Sequence, residues 1–450
     1  MLCCKRKGVS TLFSSRIYKN RDLYLKKLIA LQDTEPVKVV TGIRRCGKSS
    51  LLKLMIRHLV DSGVSGDQIV EMNFESHEYK DMTADGLYHH VKARAIPGKR
   101  MYLFFDELQR IPAWEEAVNS FRVDLDCDIY ITGSNACLLS SEYATYLSGR
   151  CVEIKLLPLS FREFLYFHGF ELRETTSPLG GTRKQVLDQN GERYDLREVF
   201  DAYLRFGGMP GIADVGLDQE RALTLLDGIY STVVVRDILE REKRRGQRRI
   251  TDPVLLRKII LFLADNIGCT VSANSIGNTL VNEGLLAGGA RKNAPSAHTV
   301  QAYVSALLES YSFYEVKRFD IKGREFLRTL GKYYIVDIGL RNYLLGFRDR
   351  DSGHVLEDIV YFELLRRGYD VAIGKIDNAE IDFIASNADE KIYLQVTESM
   401  TGEAVRRREL APLQRVRDNY EKIVLSLDPG LETSYEGIKS KNLIDWLLAE

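Results

Sequence analysis

The sequence predicts an α/β protein of several parts, and three observations carry that prediction. A β-branched run, Val37–Val40, passes through a glycine turn into a helical pattern with Leu51, Leu52, Leu54, Met55 and Ile56. Two later apolar runs, in MYLFFDEL and DIYITGSN, end in polar residues, as strands of a parallel sheet do where their carboxyl tips line a crevice. The chain of 450 residues exceeds one ordinary core, and its last part again alternates helix and strand patterns.

Composition narrows the class. A hydrophobic fraction of 45% and a charged fraction of 28% suit a folded globular chain and exclude disordered and fibrous classes. Basic and acidic residues number 63 each, so any nucleic-acid contact has to be local. Seven scattered cysteines, with Cys3 beside Cys4, fit reduced thiols better than a disulfide framework or a zinc site. The start MLCCKRKGVSTLFSS lacks an apolar stretch of signal length, and no window has the length needed to cross a bilayer. The expectation is a cytoplasmic protein without a membrane partner.

In the first third, strand, glycine turn and helix supply the setting that a phosphate-binding loop needs. Glycines let the backbone curl so that N–H groups face phosphate oxygens, and the helix start adds a favourable dipole. Gly42, Ile43, Arg44, Arg45, Cys46, Gly47, Lys48, Ser49 and Ser50 form the expected loop, with Lys48 reaching phosphates and Ser49 ligating Mg²⁺. Asp106, at the end of an apolar strand, is the expected second metal-side residue, and Glu107 the base that polarises water. Ser134 and Asn135 end the next strand and either face the same crevice or cap the following helix. Arg150 acts on the phosphoryl group, within its own subunit or across a boundary to a second copy, or is a surface residue.

The segments VVTGIRRCGKSSLL, LFFDELQRIPAWEEAV, IYITGSNACLLSSE, LSGRCVEIKLLPLSFREFL and YLRFGGMP together resemble the prokaryotic family of AAA-superfamily P-loop ATPases whose carboxyl end carries an uncharacterised, restriction-endonuclease-like domain. The resemblance spans nearly the whole chain. It implies a RecA-like, AAA-type core binding ATP and Mg²⁺, and it strengthens the expectation for Ser134 and Arg150.

Further along, ELRETTSPLGGTRKQVLDQNGERYDL is polar and reads as an insertion or connecting loop. A long helical pattern then ends in Arg241, Lys243, Arg244, Arg245, Arg248 and Arg249, a run that tracks phosphates or merely solvates a helix end. Three helical segments from Pro253 onward, followed by alternation around Lys322-Gly323, predict a winged helix. Its third helix buries Val300, Tyr303, Val304, Leu307 and Leu308 and turns His298, Thr299, Gln301 and Ser305 outward. The wing would touch backbone phosphates, or the module serves as a protein adaptor.

The final segment places Glu357 on a helix, Asp382 at a strand and Gln395-Val396-Thr397 where a nuclease needs an acid and a lysine. With one carboxylate fewer and no ammonium, nuclease activity is not expected. Arg406, Arg407, Arg408 and Glu409 follow, pairing with Asp382, touching phosphates or forming a solvated face. The expected division is residues 1–170 for the ATPase core, 171–250 for a helical lid, 251–350 for the winged helix and 351–450 for the degenerate nuclease-like part. ATP and Mg²⁺ are the expected ligands, DNA a candidate partner through the last two parts, and a homo-oligomer a candidate assembly.

Overall fold

The computed structural model describes residues 18–133, 149–176, 182–231, 238–239, 250–282, 295–327, 330–348, 351–430 and 433–449. Ser134, Asn135 and the basic run Arg241 to Arg249 lie outside the described residues. The chain forms two compact units, Met1–Leu156 and Leu157–Glu450.

In the first unit, β1 (Val37–Thr41), β2 (Ile69–Asn73), β3 (Met101–Asp106), β4 (Cys127–Gly133) and β5 (Cys151–Lys155) make a five-stranded sheet in the order β2-β3-β4-β1-β5. Every pairing is parallel. Such a sheet is covered on both faces, which explains why β1 and β3 are buried throughout and read as continuous apolar runs. Helices α1 (Asp22–Ala30), α2 (Lys48–Asp61), α3 (Ala84–Lys92) and α4 (Trp114–Asp124) complete the unit. Leu103, Phe105, Phe121, Trp114 and Val118 pack in one core cluster with Val37 and Val39. Lys38 points into this sheet, and its charge is met by Asp128 at 2.5 Å, itself bonded by the Tyr130 hydroxyl. The register aligns Thr41 with Gly133 and Asn73 with Asp106, so the strand tips converge on one edge.

The second unit opens with α5 (Phe161–His168), held at its start by a capping box between Ser160 and Glu163. The segment expected as an insertion or connecting loop contains β6 (Glu171–Thr176), β7 (Thr182–Leu187) and β8 (Arg193–Tyr194), an antiparallel three-stranded sheet. Main-chain pairing from Glu171↔Leu187 to Thr176↔Thr182 satisfies the backbone there without the apolar alternation that sequence reading looks for. Helices α6 (Leu196–Phe206), α7 (Ile212–Val215) and α8 (Gln219–Ile229) follow.

The next elements are α9 (Pro253–Asp265), β9 (Thr270–Val271), α10 (Ala273–Asn282), α11 (Ala297–Glu309) and β10 (Phe313–Val316). After them come β11 (Arg318–Asp320), β12 (Glu325–Phe326), β13 (Gly331–Ile335), α12 (Ile338–Leu345) and α13 (Ser352–Arg366). Strands β10, β13 and β9 form a small sheet. Val300, Tyr303, Val304 and Leu307 of α11 are buried as expected, while Leu308 is half-buried.

The hairpin around Lys322-Gly323 forms, with Asp320 accepting both backbone N–H groups of the turn. Strand β11 pairs in parallel with β14 (Asp370–Ile376), joining an eight-stranded sheet of order β12-β11-β14-β15-β16-β17-β19-β18. That sheet is completed by β15 (Ala379–Ser386), β16 (Lys391–Val396), β17 (Glu421–Ser426), β18 (Thr433–Tyr435) and β19 (Ile438–Asn442), with α14 (Glu403–Arg415) and α15 (Leu443–Leu448) beside it. The hairpin expected as a wing is thus part of this sheet, and its turn carries exposed Lys322 and Arg324.

The glycines of YLRFGGMP have a packing reason. A Cβ on Gly207, at φ +75°, would lie 2.5 Å from both Asp337 Oδ1 and the Gly339 nitrogen, and one on Gly208 would meet the Leu159 carbonyl oxygen at 2.4 Å. Asp337 accepts the Gly208 N–H at 2.6 Å and the Leu340 N–H at 3.0 Å. Burial pushes its carboxyl up to about 6, against the opposing pull of those backbone donors.

Candidate functional site

The carboxyl edge of the first sheet gathers most of the expected residues. Gly42 has φ +143°, and a Cβ there would collide with the Leu156 carbonyl oxygen at 2.2 Å. Gly47, at φ +104°, has open space where its side chain would be. Arg45 also adopts positive φ, so the loop curls through three such residues before Lys48 begins α2. Lys48 is buried, and its ammonium donates to the Gly42 and Ile43 carbonyls at 2.9 and 3.1 Å. Ile43 and Cys46 are buried, and Ser49 is exposed at the first turn of α2 beside half-buried Ser50. Arg44 pairs with Glu75, which also binds Arg110 at 3.2 Å.

The acidic strand tip is held from three sides. Asp106 accepts from the Thr132 hydroxyl on one oxygen and from Asn73 Nδ2 at 2.9 Å on the other. Glu107 sits in the left-handed region at φ +56°, its N–H donating to Thr132 Oγ1 at 3.0 Å and its Oε2 accepting from Gln109 Nε2 at 2.6 Å. Asn73, Thr132 and Gln109 were missed by sequence reading. Asn73 and Thr132 end strands adjacent to β3, which is the signal that a completed sheet order supplies. Buried Arg21, ahead of α1, donates to the Cys46 carbonyl of the loop at 3.2 Å.

These residues fit a magnesium-bound triphosphate: a curled glycine backbone, a buried ammonium, an exposed hydroxyl at a helix start and a fixed carboxylate. Arg150 stands elsewhere. Its carbonyl accepts the Val37 N–H at 2.9 Å, at the amino end of β1, about 13 Å along the strand from Thr41 by strand rise. It does not join the pocket of its own chain.

A second constellation lies within Leu157–Glu450. Glu357, buried on α13, accepts from Tyr334 at 3.1 Å and lies 3.3 Å from both His354 Nδ1 and Lys332 Nζ. Lys332, on β13 and also buried, reaches Glu380 at 2.8 Å. Asp382 accepts the Val396 N–H at 2.8 Å, and Gln395 Oε1 stands 3.5 Å from the Asp382 N–H. An ammonium thus occupies the carboxylate cluster, delivered by a strand of another sheet. Burial lowers the Lys332 affinity for its proton, but the charges of Glu357, Asp382 and Glu380 outweigh it and hold the group above its ordinary value. Burial, then the Glu357 charge, pushes the Asp382 carboxyl well above the carboxylate range.

Among the described residues, no group of three or more His, Cys, Asp or Glu side chains is arranged to hold a metal ion. Arg406 lies over Tyr435, Arg407 pairs with Glu403 and Arg408 with buried Glu409. No described helix is long and apolar enough to cross a membrane.

A parallel sheet whose glycine loop, helix-start lysine and neighbouring Asp-Glu meet at one edge defines a P-loop nucleotide-binding protein. Residues 34–165 match the family described as AAA domain, and residues 197–351 match a domain of unknown function, DUF8612. The chain belongs to the AAA-type P-loop ATPase family. An uncharacterised protein of Haemophilus influenzae is 37% identical over 96% of this chain and 100% of its own length. A Methanocaldococcus jannaschii protein, MJ1544, is 28% identical over 94% of this chain and 90% of its own. Among solved structures, the Walker-type ATPase PABY2304 of Pyrococcus abyssi is similar at 16% identity with a TM-score of 0.47, covering 74% of this chain and 99% of that one.

Proposed function

We propose that the chain hydrolyses ATP with magnesium and uses the nucleotide state as a switch. The observation that carries this reading is the convergence of Lys48, Asp106 and Glu107 at one sheet edge, with both oxygens of Asp106 fixed by Thr132 and Asn73. Magnesium, when bound, neutralises charge on the phosphate oxygens. The loop from Gly42 to Ser50 cradles phosphates, Ser49 and Asp106 hold the metal side, and Lys48 exchanges its two carbonyl partners for phosphate oxygens. Glu107 takes a proton from water. Ser134 remains a candidate for the same crevice.

DNA is the proposed partner of the second unit, through the exposed face of α11 in a winged-helix arrangement of α9, β9, α10, α11 and the antiparallel pair β10 and β13. His298 and Gln301 are exposed there, with Thr299 and Ser305 half-buried. The proposed parts are residues 1–170, 171–250, 251–350 and 351–450, with β11 and β12 of the third supplying two strands to the sheet of the fourth. Nuclease chemistry is not proposed, since Lys332 already neutralises the carboxylates that metal would need.

The test is ATP turnover by the full chain with and without duplex DNA, against Lys48→Ala and Glu107→Gln. The reading expects turnover lost in both variants, with ATP still bound by Glu107→Gln, and DNA stimulation reduced in His298→Ala/Gln301→Ala. Binding without turnover in the wild type favours a non-hydrolysing regulator instead. Magnesium-dependent cutting of DNA that Asp382→Ala abolishes would restore the nuclease reading.

A further inference from the structure

Gln109 lies two residues beyond Glu107, a spacing at which side chains of a regular helix do not face each other. They meet here because Glu107 takes left-handed φ and the 3-10 turn Leu108–Arg110 follows at once. The Gln109 carboxamide N–H then reaches Glu107 Oε2 at 2.6 Å. Two local costs accompany the contact. A non-glycine residue is held at φ +56°, and Gln109 Oε1 is buried without a hydrogen-bond partner among the described residues. Turning the amide over would not relieve the second, because it would set two oxygens against each other across 2.6 Å. A turn selected for stability alone would carry an apolar side chain at this position.

We propose that Gln109 is a positioning residue for hydrolysis, holding the Glu107 carboxylate in the orientation from which it takes the water proton. The inference rests on the ATPase reading above and adds to it the group that aims the base. Thr132 fixes the backbone of Glu107 and one oxygen of Asp106, so β4 anchors the strand tip while Gln109 anchors the Glu107 side chain. Lys48 and Ser49 bind phosphate and metal independently of this contact, so nucleotide affinity and turnover separate.

The experiment compares wild type, Gln109→Leu, Gln109→Ala, Glu107→Gln and Lys48→Ala by steady-state ATP turnover, binding of a fluorescent ATP analogue and thermal unfolding. Both Gln109 variants are expected to lose at least about tenfold in kcat, a part of the roughly 10²–10⁴-fold that a positioned acid or base supplies. Their KM and analogue affinity stay within about twofold of wild type, because only an interaction used in the chemical step is removed. Gln109→Leu removes an unpaired oxygen but also one donor to a buried carboxylate, so its unfolding midpoint stays close to that of wild type. A structural role alone would lower the midpoint of Gln109→Leu and leave kcat unchanged, which overturns the proposal. Wild-type turnover above the Lys48→Ala background, with Gln109→Leu equal to wild type, sinks the Gln109 role alone. Wild-type turnover no higher than Lys48→Ala sinks the ATPase reading, and this role with it.

Discussion

Replacing Lys332 by methionine is expected to destabilise the second unit by about 3 kcal/mol. The starting figure is about 3–5 kcal/mol for removing one partner of a buried ion pair, because the remaining charge stays buried and uncompensated. Two features of the cluster place the value at the lower end. Tyr334 and His354 still face Glu357, and Glu380 is 33% exposed, so water replaces the ammonium there.

Urea unfolding of the full chain in a Trp114→Phe background reads this out. The chain has two tryptophans, and Trp446, stacked 4.2 Å from the Arg367 guanidinium, then reports on the second unit alone. Adding Glu357→Gln to Lys332→Met should recover part of the loss, since the stranded charge is then gone. The penalty should also shrink in acid. Burial alone would raise the Glu357 carboxyl, but the His354 hydrogen bond and the Lys332 charge hold it below its usual value, so its stabilisation is present above that value and lost as pH falls. A loss under about 1 kcal/mol, or a double variant as unstable as the summed singles, refutes the argument.

Gly207→Ala should cost more than about 2 kcal/mol, against about 1 kcal/mol for Gly216→Ala, which has the same φ of +75° but open space around its added carbon. Chemical denaturation of the pair separates clash from backbone strain. Asp337 has the opposite pH sign to Glu357: its carboxyl is raised from 3.8 to about 6, so its contribution is present below 3.8 and lost as pH rises through 6. The stability of wild type relative to Asp337→Asn should fall by up to about 3 kcal/mol over that window, and a flat difference would contradict the burial argument. Arg150→Ala should lower turnover without changing ATP affinity, and mixing it with Lys48→Ala should restore activity if the arginine serves a neighbouring copy. Mixtures with only averaged activity would exclude that role.

Local chemistry made the first site legible. Lys48 and Gly47 lie in one continuous strand-turn-helix, and Asp106 closes an apolar run, so short-range patterns reach them. Lys332 was out of reach for the opposite reason. It stands 25 residues before Glu357, on a strand outside the sheet that carries Glu380 and Asp382, and only folding brings its ammonium against Glu357 and Glu380. Asn73 and Thr132 needed the strand order, because register alone tells which polar tip neighbours Asp106. The hairpin at Lys322-Gly323 was read correctly as a turn, but alternation says nothing about which sheet an edge strand will join.

The shared hairpin limits how this protein can be cut for study. Residues 313–335 begin and end in the small sheet while their middle is stitched to β14, so a fragment stopped near residue 350 would bare the unpaired backbone of β11 and the Phe319–Phe326 contact. Such a fragment would invite edge-to-edge aggregation, and the complementary piece would lack two strands of its sheet. Leu157–Glu450, one compact unit, keeps both sheets whole.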